Sequence, residues 1–224
     1  MADSLAKQAK SSGRNSSTRW VRRKDARPAE ILDAALKVFA AKGYAAARME
    51  DIAREAGVTK GTIYLYFDNK QAVFNALVSQ TIGSTVRAVT AHLETFRGPV
   101  RELLRFALGQ MAAQLVESER VVIPKIIIGE SGNFPELARF YRFEVIDAGL
   151  KAFAAVIEYG IAQGEFRPLP VEHVIRLCIA PVLLGAIWQS TFAQFDAAPY
   201  DYRGLIDTHL DVLFRGLAPE GARP

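Results

Sequence analysis

A single cysteine among 224 residues leaves no partner for an internal disulfide, and Cys178 belongs to no CxxC or Cys/His cluster able to offer zinc four ligands. Histidine is nearly as scarce. His92, His173 and His209 lie far apart in the chain and form no HxxxH or HExxH, so neither a metal nor a His-activated nucleophile has local support. GxSxG, P-loop and GxGxxG patterns are also missing, and the chain reads as a non-enzyme without metal or cofactor. Long apolar runs are lacking too. The longest stretch free of strongly polar residues, Leu177 to Trp188, is 12 residues, whereas a bilayer span needs about 20. No apolar segment follows Lys7 and Lys10, so neither a membrane helix nor a secretory signal is expected. A cytoplasmic location fits this reading.

Apolar residues are plentiful: at 50% of the chain they suffice for a sizeable core. The net charge of +4 is unevenly spread. Residues 1 to 27 hold eight basic groups against Asp3 and Asp25, so this short segment carries +6 and the remainder −2. Its middle, from Ser11 to Thr18, is polar and nearly devoid of apolar side chains. Residues 1–26 are therefore expected to form a flexible basic arm, and its charge suggests a polyanionic partner, although a solubilising tail has the same composition.

From Pro28 onward the periodicity is helical. Pro28 suits a first helical position and Glu30 the positive end of the helix dipole, while Ile31, Ala35, Val38 and Phe39 recur at three- and four-residue spacing. Gly43 ends this helix, a second covers roughly 49–56 up to Gly57, Thr59 caps a third through about Phe67, and Asn69 caps a fourth. Breaks at 97–99, 129–135, 164–170 and 196–201 separate longer helices. With no useful strand alternation, the fold class is all-α.

The stretch from Met49 to Phe67 follows helix-turn-helix logic. Ala53 is small where a second helix crosses, Gly57 supplies the positive φ of a short turn, and Ile52, Ala56, Val58, Ile63 and Phe67 provide the apolar faces. The outward face of the following helix carries Thr59, Lys60, Thr62, Tyr64 and Tyr66, suited to hydrogen bonding and phosphate contact in a major groove. With Ala34-Ala35, Phe39, Gly43-Tyr44, Asp51-Ile52-Ala53, Gly61-Thr62-Ile63-Tyr64, Tyr66-Phe67 and Lys70 at their spacings, the chain resembles the TetR family of bacterial one-component regulators over about a fifth of its length. The resemblance implies an all-α homodimer with an N-terminal DNA-binding domain and a C-terminal domain that binds an inducer and dimerises. It also implies that Thr59, Lys60, Thr62 and Tyr64 approach base edges or nearby phosphates of double-stranded operator DNA, while Tyr66 and Lys70 clamp the backbone. Where the family often has Thr or Ser at the start of the second helix, this chain has Ala47-Arg48; Arg48 cannot N-cap but offers a charged phosphate contact.

The domain expectation is thus 27–75 for DNA binding, 76–218 for effector binding and dimerisation, and 219–224 as a tail. The helix through 177–188 is apolar on every side and calls for cover on every side, part of it from a second chain, so residues 171–217 are the expected dimer face. Aromatics crowd residues 106–195 and favour an apolar or aromatic small-molecule effector. Phe106, Met111, Phe140, Phe143 and Trp188 are expected to line its cavity, with Glu144 and Gln189 as polar groups. The function this describes is a repressor of a pseudo-palindromic operator released by such an effector. The alternative is a DNA-binding architectural or division-control protein of the same fold without a small-molecule switch.

Overall fold

In a computed structural model, which describes residues 15–219 and 221, ten α-helices follow one another without a strand among the described residues. They are α1 (Asn15–Ala46), α2 (Met49–Glu55), α3 (Lys60–Tyr64), α4 (Lys70–Thr95), α5 (Val100–Val116), α6 (Val122–Glu130), α7 (Pro135–Phe140), α8 (Asp147–Ala162), α9 (Val171–Thr191) and α10 (Tyr202–Leu217). A 3-10 turn at Glu119–Val121 precedes α6, a π-helical segment at Tyr141–Ile146 joins α7 to α8, and another 3-10 turn occupies Ala193–Phe195.

The expected start at Pro28 is corrected: α1 begins at Asn15 and Pro28 lies inside it. No glycine occurs between Arg14 and Lys42, and the backbone stays helical through Pro28 although its ring removes one hydrogen bond. Residues 1–14 of the basic arm lie outside the described residues. At the other end Gly43 breaks the helix with φ 72°, a left-handed conformation that side chains other than glycine rarely adopt. Gly57, at φ 64°, makes the turn between α2 and α3.

Two cores hold the molecule. The first gathers Ile31, Ala35 and Phe39 of α1, Ile52 and Ala53 of α2, Ile63 of α3 and Phe74 of α4. It does not stop at residue 75: Ile123 and Ile126 of α6, Leu137 of α7 and Val145 belong to the same buried cluster. The second core joins Leu103, Leu104 and Leu108 of α5 to Val156 and Ile157 of α8, Cys178 and Val182 of α9, and Leu210 of α10. Burial pushes the Cys178 thiol up to about 12, which leaves it an inert apolar side chain.

On length and composition α9 could cross a membrane, its best 18-residue window reaching a mean hydropathy of 1.6. The core helix of a soluble protein passes the same test, and this one carries Glu172, His173 and Arg176 near its start. In the fold it packs against α5, α8 and α10.

Candidate DNA-binding face and effector cavity

The turn and the helix after it are built from local bonds. Thr59 caps α3 by accepting a hydrogen bond from the Thr62 N–H at 3.2 Å, and the two threonine hydroxyls lie 2.8 Å apart. Ile63 points inward and is fully buried. Thr59, Lys60 and Tyr64 are exposed and Thr62 is half-buried, so the structure brings these four together on one short, largely solvent-facing helix. Lys60 Nζ lies 2.7 Å from Glu50 Oε1 on α2, which holds the Glu50 carboxyl below and the lysine above their ordinary ranges. The pair is exposed and water-screened, so a phosphate can compete for the lysine.

Three expected contacts sit differently from one another. Arg48 is exposed in the N-cap position of α2 and makes no side-chain cap, leaving its guanidinium outside the helix end. Tyr66 is half-buried against the first core. Lys70 turns inward: Nζ donates to the carbonyls of Tyr44 at 2.6 Å and Ala45 at 3.1 Å, and rests 4.4 Å from the centre of the Tyr44 ring. Burial pulls its pKa below the usual lysine value. In this geometry its charge meets the last carbonyls of α1.

Between the two cores lies a cavity of about 590 Å³, within the range of ligand pockets. α6 contributes Pro124, Ile127 and Ile128; α5 gives Met111, Gln114 and Leu115; α9 gives Arg176, Ile179, Ala180 and Leu183; Gly149, Leu150 and Phe153 come from α8. The π-helical segment supplies Tyr141, Arg142, Val145 and Ile146. Burial pushes the Tyr141 hydroxyl up to about 12, so it stays protonated and able to donate. Arg142 pairs with Asp147, and Arg176 Nη1 donates to the Glu172 carbonyl at 2.6 Å.

Of the seven expected effector contacts only Met111 lines this cavity. Phe106 stacks on His92 at 4.5 Å instead. It stands five residues from Met111, which on a helix is the opposite flank. Trp188 is part-exposed and donates from Nε1 to Asp196 Oδ2 at 2.8 Å, while Gln189 is exposed. The cavity face of α9 repeats at 176, 179, 180 and 183, and that register excludes 188 and 189. Phe140 packs on the first core, and Phe143 and Glu144 face solvent. The cavity-lining positions of this segment are 141, 142, 145 and 146, one arc of the helix, and 143 and 144 fall on the opposite side. Sequence reasoning missed Tyr141, Arg142 and Arg176; two arginines set among apolar residues were the available signal.

Comparison with known proteins agrees with this geometry. Residues 31–77 match the family model for bacterial regulatory proteins of the tetR family. The chain is 27% identical over 194 residues to the HTH-type transcriptional regulator YfiR of Bacillus subtilis, covering 83% of this chain and 89% of that protein. The fatty acid degradation regulator FadR of Bacillus halodurans superposes with a TM-score of 0.72 at 25% identity, over 85% of this chain and 96% of the other. FadR of Bacillus subtilis in complex with stearoyl-CoA superposes with a TM-score of 0.67 at 23% identity, over 84% and 98%.

Proposed function

We propose that this chain, which belongs to the TetR family of helix-turn-helix transcriptional regulators and is not an enzyme, is a repressor that binds a pseudo-palindromic operator as a homodimer and leaves it when an apolar-bodied effector fills the cavity between the two cores. Members of this family of soluble bacterial regulators are typically cytoplasmic. One observation carries the reading. α6 has Ile123 and Ile126 in the core that holds the helix-turn-helix, and Ile127 and Ile128 on the cavity wall. A ligand that favours one placement of α6 then biases the DNA-binding unit, by as much as its affinity differs between the two placements. The homodimer is supported by Leu177 and Leu184, one heptad apart on α9, and Val212 on α10, all well exposed in the protomer.

The cavity favours an amphipathic effector. Its wall is apolar, and Arg142 and Arg176 stand on it as the two cationic groups, suited to an anionic head. The relative crystallised with stearoyl-CoA takes a ligand of that class. The test is fluorescence anisotropy of the full chain on duplexes selected from a random pool, titrated with stearoyl-CoA, stearate and a neutral long-chain alcohol. Release by the anionic acyl compounds is expected. Retention of DNA across this panel and a broad metabolite screen would replace the reading with that of an architectural protein on the same fold.

A further inference from the structure

Leu65 is 81% exposed, the barest of the large apolar side chains among the described residues. A single exposed leucine is ordinary on a protein surface, so its position has to make the case. At about 100° per residue, Gly61 and Leu65 lie roughly 160° and 200° round from the fully buried Ile63, at the centre of the outward face. Lys60 and Tyr64 flank them on one side and Thr62 on the other. Gly61 brings no side chain to this centre, and a Cβ there would have only Thr59 Oγ1 within 4 Å. The helix therefore presents its backbone and one leucine to whatever it enters, with hydrogen-bonding groups at the margins.

We propose that Leu65 is a specificity-determining residue that packs on the 5-methyl group of a thymine in each operator half-site. The inference rests on the DNA-binding reading above. In a major groove the thymine methyl is the apolar group that projects from the base edges, whereas the N7, O6, O4 and amino groups accept or donate hydrogen bonds that a leucine leaves unsatisfied. The missing Cβ at Gly61 lets the helix approach closely enough for a side chain of four carbons to reach it, while Thr62 and Tyr64 keep their polar groups for neighbouring edges.

Deoxyuridine separates the methyl from everything else, because it keeps the pairing and the hydrogen-bonding edge. Duplexes retained by the full chain from a random pool are resynthesised with each thymine replaced in turn, and binding is measured for the wild type and Leu65→Ala. The expected result is one thymine per half-site where the replacement weakens wild-type binding about fourfold. Leu65→Ala should bind the thymine duplex about fourfold less tightly and distinguish the two bases no longer, with an unchanged melting temperature because the side chain has no packing to lose. Indifference to uridine at every thymine, or an unaltered thymine-to-uridine ratio in Leu65→Ala, overturns the proposal. If no duplex is enriched at all, the DNA-binding reading fails and the inference falls with it.

Discussion

Glu130, the last residue of α6, accepts a hydrogen bond through Oε1 from the backbone N–H of Ala45 at 3.2 Å, across 85 residues of sequence. The Phe134 ring lies 5.0 Å from that of Tyr44, and Lys70 holds the carbonyls of Tyr44 and Ala45 from the other side. The end of α1 is thus gripped by the same helix that walls the cavity.

Removing this grip should weaken communication more than binding. Glu130→Ala is expected to lower stability by about 0.5 to 1.5 kcal/mol, the net worth of one hydrogen bond. Calorimetry should give an unchanged stearoyl-CoA affinity while anisotropy shows DNA release only at higher ligand occupancy. Full release at normal occupancy would assign the coupling to other contacts.

Lys70→Ala discriminates between a structural tether and a phosphate contact. Two charge-assisted bonds to carbonyls predict a stability loss of about 1.5 to 3 kcal/mol in thermal unfolding. The salt dependence of DNA binding should stay the same. A stable variant whose salt slope falls by roughly 0.9 would return the lysine to the DNA backbone.

His209 makes stability pH-dependent. Burial lowers its pKa from the ordinary value, against a bond to the Cys178 backbone that raises it, and its Nε2 is buried without a partner. The unfolded ring takes up a proton that the folded ring refuses, so stability is full above about pH 6.5 and declines as pH falls through that value toward the folded pKa. Urea midpoints between about pH 7.5 and 5.5 should show this decline, and His209→Gln should flatten it. An equal slope in the variant would assign the effect to another group.

Leu184 is 61% exposed in the protomer, so Leu184→Arg places a charge where a second chain would have to desolvate it. The variant should fold and sediment as a monomer at micromolar concentration, where the wild type is expected to sediment as a dimer. A dimeric variant would move the interface off this stripe.

Gly149 sits on the cavity wall in α8, and a Cβ there would meet nothing within 4 Å. Gly149→Phe should raise the melting temperature, since glycine costs a helix about 1 kcal/mol and the ring fills empty space. DNA binding should persist and stearoyl-CoA should no longer release it. Continued release would place the effector elsewhere.

The helix-turn-helix was legible residue by residue because its determinants are local. The cap of Thr59 on Thr62, the cap of Asn69 on the Ala72 N–H at 2.9 Å and the positive φ of Gly57 each act within three or four residues. The all-round apolarity of α9 was legible too, though not its division into a buried face at Cys178 and Val182, a cavity face at Ile179 and Leu183, and a bare face at Leu177 and Leu184. Composition reports that a side chain is apolar, and only its neighbours in space decide what covers it. The cavity lining was not legible for the same reason: at residues 141–146 the pattern does not say which side of the helix meets α5, α8 and α9, and the fold puts Tyr141 and Val145 on the cavity wall with Phe143 and Glu144 on the exposed side. Lys70 matched the family motif by type and position, yet its partners come from the end of α1, some 25 residues earlier, and the fold brings them together.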